Sequence, residues 1–189
     1  MEKILYINSC IRENSRTNYL AKYLLSKLKG DITELVLDNT IKPLDLKSLE
    51  RRDYLLANKE YNAKEFDLAN MFKSYDVIVI ASPYYDLSFS ALLKNYFENI
   101  NCVGLTFGYN DKGMPYSMSK AKKLYYVTTA GGYILNDDFG FGYIKALANT
   151  FYEIKDIKYI KAEGLDIVGA DVLDILNKAK EKIDMMEEK

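Results

Sequence analysis

Short apolar runs alternating with helically spaced apolar residues predict an α/β protein, a five-stranded parallel sheet wound by helices on both faces. Three observations carry this reading. The run Val77 to Ala81 is continuously apolar, as a central strand covered on both sides must be. Segments such as Asn18 to Leu28 repeat apolar residues at the helical period. The runs also follow one another at the spacing of strand–helix–strand crossovers, which in one sheet are right-handed and therefore place helices on both sides.

Lys3 to Asn8 opens the chain as a short apolar strand, and Tyr19, Leu20, Tyr23, Leu24 and Leu28 then mark one face of a helix. Ile32 to Leu37 alternates enough to be a strand nearer an edge, whereas Asp76 to Ala81 is a central one. A helix near Ser90 to Ile100, a strand Lys123 to Thr128, a helix near Phe141 to Tyr152, a strand Ile157 to Ala162 and a last helix from about Ala170 to Met186 complete the alternation. The charged stretch Lys178 to Lys189 reads as a solvated helix end. Two connections, Asp38 to about Ala63 and Cys102 to Ala121, exceed the ~2–6 residues usual in such units. The first has room for a short helix around Leu46 to Arg52, and the second is aromatic and punctuated by glycine. No linker or repeat interrupts residues 1–189, so one domain is expected.

Composition narrows the function. Twenty-six basic against 27 acidic residues give a net charge of −1 with no basic stripe, which argues against nucleic acid. No apolar run approaches the ~20 residues needed to cross a bilayer. Met1-Glu2-Lys3 leads straight into a strand pattern rather than a signal sequence, so a cytoplasmic protein away from membranes is expected. Cys10 and Cys102 form neither a disulfide framework nor a metal-spaced cluster, and idle reduced thiols are the simplest reading. The complete absence of histidine removes Ser-His-Asp and Cys-His nucleophile activation and most catalytic zinc sites. An enzyme without these would draw its chemistry from a cofactor, and no side chain is nominated as catalytic.

In an open parallel sheet ligands bind beyond the carboxyl ends of the strands, at the switch point. After strand one, Asn8 to Asn18 lacks both the GxGxxG and the GxxxxGK[ST] patterns, and it lacks the acidic cluster of a phosphoacceptor receiver. What remains is a loop of hydroxyls entering a helix. Ser9, Ser15 and Thr17 can donate to phosphate oxygens there, beside the free N–H groups of the first turn. An ordinary N-cap would explain the same residues without a ligand. After strand three, Pro83 fixes φ and turns the chain so that Tyr84, Tyr85, Asp86 and Leu87 can line a crevice for a flat ring, although two tyrosines among 17 can equally be wall packing. After the fourth strand, Thr129-Ala130-Gly131-Gly132 lets the backbone approach a ligand closely, or is a plain turn. The three loops flank one switch point, and together they suit an aromatic mononucleotide such as FMN.

Several blocks resemble the FMN-dependent NADH-azoreductases, within the wider flavodoxin-like NAD(P)H:quinone reductases. They are Val77 to Pro83 followed by Tyr85, Leu93-Lys94-Asn95-Tyr96-Phe97, Gly104-Leu105-Thr106-Phe107, Thr128 to Gly132, and Ala162-Glu163-Gly164. The resemblance spans nearly the whole chain, is strongest from Asp76 to Gly132, and is poor over Asp38 to Ala63. It implies a flavodoxin-like sheet of order 2-1-3-4-5. It places Ser9, Ser15, Arg16 and Thr17 at the FMN phosphate, Pro83 to Leu87 along the isoalloxazine, and Thr129 to Gly132 at its pyrimidine edge. It further implies a ping-pong enzyme that takes electrons from NADH or NADPH and passes two to a quinone or azo compound, working as a homodimer with active sites at the interface. Tyr84, Asp86 and Ala130 depart from the family's common methionine, asparagine and arginine, and these departures bear on substrate range. The alternative is a flavodoxin-type electron carrier without a nicotinamide site, disfavoured by the near-neutral charge, the aromatic segment Cys102 to Tyr116 and the missing T-x-T-G-x-T loop. A flavin-free regulatory protein that keeps only the fold is the third reading.

Overall fold

A computed structural model describes residues 1–187 of the 189. Its elements are β1 (Lys3–Asn8), α1 (Arg16–Lys27), β2 (Asp31–Val36), α2 (Leu46–Ala57), α3 (Asp67–Lys73), β3 (Val77–Ala81) and α4 (Ala91–Ile100). There follow β4 (Phe107–Tyr109), β5 (Pro115–Ser117), β6 (Lys123–Thr129), α5 (Tyr143–Phe151), β7 (Asp156–Ala162) and α6 (Val172–Glu187). The main sheet has the order β2-β1-β3-β6-β7 with every pair parallel, which is the expected 2-1-3-4-5 once the small β4–β5 hairpin is set aside.

The strands alternate their side chains between two apolar layers. Ile4, Tyr6, Val77, Val79, Tyr125 and Val127 pack beneath α1 and α6, while Leu5, Ile7, Ile78, Ile80, Leu124 and Tyr126 pack beneath α3, α4 and α5. β3 is buried at every residue because helices cover both its faces, as its continuous apolar run requires. β2 lies at the edge and exposes Ile32 and Val36.

Three elements differ from the sequence reading. The connection before β3 holds a twelve-residue α2, because Asp45 caps it and forms a reciprocal capping box with Ser48. The Cys102–Ala121 connection is not only loop: β4 and β5 pair antiparallel there, and Phe107 stacks on Phe151 of α5 at 4.2 Å. The charged tail is more than a solvated end. Ile183 is fully buried, Asp184 pairs with Lys27 at 2.7 Å, and Glu187 accepts a hydrogen bond from Tyr125 at 2.6 Å. Its last two positions, 188 and 189, lie outside the described residues. Among the described residues, no helix is long and apolar enough to cross a membrane.

Candidate active site

The ladder bonds of the sheet continue one step past the strand ends and aim three loops at one place. Ser9 donates its backbone N–H to Ala81, Tyr84 to Thr129, and Ala130 to Ala162, at 2.9–3.0 Å. Between these loops lies a cleft of about 320 Å³, within the range of small-ligand sites. It is lined by Arg12, Asn14, Ser15, Arg16 and Thr17 from the first loop, Pro83, Tyr84 and Tyr85 from the second, Thr129, Ala130 and Gly131 from the third, and Asp166 from the loop after β7.

At the head of α1, Ser15 is the N-cap and its hydroxyl accepts the N–H of Asn18 at 3.2 Å. A hydroxyl that accepts still has its proton to donate, so the cap and an anion ligand are compatible roles. Arg16 and Thr17 open the helix, where backbone N–H groups meet no intrahelical carbonyl and the dipole favours negative charge. Thr17, almost fully buried, shares a 2.6 Å hydrogen bond with Thr129 and so ties the first loop to the third. Ser9 sits behind the cleft rather than in its lining: it is buried and its hydroxyl donates to the Ala81 carbonyl at 3.0 Å.

The second loop is a turn of unusual chemistry. Tyr85 and Ser88 exchange both backbone hydrogen bonds at 2.8 Å, while Asp86 and Leu87 between them have φ of +49° and +67°. That is the mirror-image hairpin turn, normally made by Asn-Gly or Asp-Gly; Asp86 suits it, and Leu87 bears the left-handed strain in glycine's place. Pro83 is buried and starts the turn. Tyr84 donates its hydroxyl to the Asn136 carbonyl at 2.9 Å, and Ser88 donates to the Phe139 carbonyl at 2.6 Å, so the turn is fastened to the segment before α5. Desolvation, with a smaller contribution from Asp137, raises the Tyr84 hydroxyl above its ordinary pKa. Asp86 and Leu87 stand beside the cleft, exposed, and not in its lining.

The third loop is held by the fourth. Leu165 donates to Ala130, Asp166 to Gly131, and Gly164 to Gly132, at 3.2, 2.9 and 2.9 Å. A Cβ on Gly131 would fall 2.2 Å from Asp166 Oδ2 and displace that carboxylate from its present position, whereas one on Gly132 would meet open space. The N–H groups of Gly131 and Gly132 make no hydrogen bond among the described residues, and so remain available to a ligand. Gly132 itself does not line the cleft.

Arg12, Asn14 and Asp166 were not nominated from the sequence. The first two lie in the loop already singled out for its hydroxyls, and Arg12 is a cation that an anion-binding reading should have included. Asp166 carries no local signature and reaches the cleft only because β7 lies beside β6. It also holds Arg16, whose guanidinium donates to Asp166 Oδ1 at 2.7 Å and to the Leu165 carbonyl at 3.1 Å. Among the described residues no group of histidine, cysteine or carboxylate side chains is spaced to bind a metal. Both cysteines are free, and burial pushes each thiol above its ordinary pKa.

The donor set fits a flat phosphate-bearing cofactor: a helix start with hydroxyls and cations at one end, then tyrosines, a proline and unpaired backbone N–H groups. Comparison with known proteins agrees. The FMN-dependent NADH:quinone oxidoreductase of Lachnoclostridium phytofermentans is 32% identical over 192 residues, covering 96% of each chain. An azoreductase structure from Bacillus anthracis superposes with a TM-score of 0.83 at 18% identity over 99% of both chains. An FMN-dependent NADH-azoreductase of the same species, solved in complex with FMN, gives a TM-score of 0.82 at 21% identity over 100% of this chain and 98% of that one. A family model described as flavodoxin-like fold matches residues 2–185, and the protein therefore belongs to the flavodoxin-like family that includes the FMN-dependent NADH:quinone oxidoreductases.

Proposed function

We propose that the protein is an FMN-dependent NADH:quinone oxidoreductase with azoreductase activity. The observation that carries this is the cleft itself, where the head of α1, the Tyr84–Tyr85 turn and the Thr129–Gly131 backbone meet at the switch point. FMN, when bound, supplies the two-electron chemistry between a nicotinamide and a quinone or azo acceptor. The flavodoxin-carrier alternative is disfavoured by a relative at 32% identity that bears an oxidoreductase name.

The chain's own part is binding, orientation and electrostatics. Ser15, Thr17 and the backbone N–H groups at Arg16 and Thr17 would hold the phosphate, with Ser9 bracing the loop from behind. Pro83, Tyr84 and Tyr85 would run along the ring system with Asp86 and Leu87 beside it, and Thr129, Ala130 and Gly131 would meet its pyrimidine edge with Gly132 next to them. The free N–H groups of Gly131 and Gly132 would stabilise negative charge at that edge of the bound cofactor. Tyr84 is not a free proton source, because its hydroxyl is donated to the Asn136 carbonyl, which leaves water or the Tyr85 hydroxyl to supply protons.

The single domain works in the cytoplasm as a homodimer whose second subunit covers each cleft. Exposed Leu87 and Phe139, beside a wide groove lined by Phe89, Tyr143 and Lys94, support a covered face next to the site. NADH is the reductant, and NADPH is the second nicotinamide to try. Initial rates measured with NADH against a benzoquinone and an azo dye test the reading: parallel double-reciprocal lines are expected, and no FMN-dependent oxidation of NADH would overturn it.

A further inference from the structure

The phosphate end of the cleft contains a carboxylate that no anion site needs. Arg12, Arg16 and Asp166 all line the cleft, so its fixed side-chain charge there is two positive groups offset by one negative. Asp166 is not a wandering surface residue. Its N–H donates to Gly131, its neighbours Gly164 and Leu165 donate to Gly132 and Ala130, and Gly131 has no Cβ, which leaves room for the carboxylate. The backbone therefore sets where the Asp166 side chain starts, independently of any ion pair, and the half-exposed carboxylate is then held by Arg16. From that position it takes the Arg16 guanidinium at 2.7 Å, and the Leu165 carbonyl takes a second donor of the same group at 3.1 Å.

The geometry points to Asp166 as a resident counter-ion of the phosphate subsite, one that turns Arg16 toward the loop after β7 and offsets its charge. The ligand phosphate must then be bound mainly by Ser15, Thr17 and the backbone of the first helical turn, against a negative neighbour. Affinity for the phosphate-bearing flavin is held below what the donors allow, and discrimination between FMN and riboflavin is held down with it. This inference rests on the flavin reading of the cleft.

Asp166→Asn tests it, since the amide keeps the shape and leaves the three backbone bonds of the loop untouched, while removing the charge. FMN and riboflavin dissociation constants are measured by flavin fluorescence at low and at high salt, on the wild type, Asp166→Asn and Asp166→Ala. The expected result is FMN bound roughly threefold to tenfold more tightly by both variants at low salt, with the gain shrinking as salt screens it and riboflavin unaffected. FMN bound no better or more weakly, or a change equal for both flavins, would overturn the counter-ion and leave Asp166 a structural tie. A wild type that takes up neither flavin would refute the flavin reading instead. The same comparison made with inorganic phosphate then decides the counter-ion: tighter phosphate binding by the variants supports it, and equal binding overturns it.

Discussion

Ser15 holds two roles that one substitution can separate. As the N-cap of α1 its hydroxyl accepts the N–H of Asn18 at 3.2 Å, and Ser15→Ala should therefore cost about 1 kcal/mol of stability. In a chain of this size that lowers the melting temperature by roughly 2–4 °C. The hydroxyl proton is left for the ligand, and losing a charge-assisted hydrogen bond to phosphate costs ~1.5–3 kcal/mol, or about 10- to 150-fold in Kd. Riboflavin has no phosphate, and its affinity should change little. Ser15→Gly completes the test, because glycine keeps most of the capping preference and costs only a few tenths of a kcal/mol, yet it removes the same donor. The assay is a flavin fluorescence titration beside a thermal melt for each variant. FMN affinity that is unchanged, or that falls equally for riboflavin, would mean that Ser15 only caps the helix and that the phosphate lies elsewhere.

Leu87→Gly should shift the stability of the isolated subunit by less than ~1 kcal/mol in a denaturant melt, run at a dilution where the subunits are apart. Relief of a left-handed leucine at φ +67° (~1–2 kcal/mol) is set against about 1 kcal/mol of lost partial burial at 53% exposure and ~0.5–1 kcal/mol of glycine entropy. A loss above 2 kcal/mol would show that the side chain is packed far better than its exposure implies. Neither Cys10 nor Cys102 should react quickly with iodoacetamide at pH 7, since burial raises both thiols above 9.0 and keeps them protonated. Mass spectrometry that found rapid labelling of the native protein would contradict this. Asp45 is held below its ordinary 3.8 first by the Ser48 N–H and then by the Ser48 hydroxyl. A carboxyl depressed in the folded state stabilises above the unfolded pKa and ceases to as pH falls through the folded one. Asp45→Asn should therefore flatten the acid limb of stability below about pH 3.8, and an unaltered limb would remove the cap from that account.

The parts of the fold legible in the sequence were those whose burial leaves a periodic trace. β3 reads directly because both faces are covered, and β1, β6 and α4 follow from the same logic. The β4–β5 hairpin was illegible because three-residue strands are too short for alternation to show, and Phe107 packs against α5 rather than within its own element. The tail misled because charge dominates its composition while only Ala179 and Ile183 among its described residues carry its burial. In the site, the loops after β1, β3 and β6 were found through hydroxyls, proline and glycine. The left-handed turn at Asp86–Leu87 is hard to read, since Asp86 suits its first central position but leucine stands where glycine is usual at the second. Asp166 is invisible for a different reason: its role follows from parallel pairing of β6 with β7, which brings together residues more than thirty positions apart.

The most direct test of a flavin-dependent enzyme in this cleft is the visible spectrum of the purified protein, reconstituted with FMN and mixed anaerobically with NADH. Bound flavin whose absorption bleaches without any protein partner is the predicted result. Bound flavin that stays oxidised would return the protein to the electron carriers, and failure to retain FMN at all would contradict the reading of the cleft.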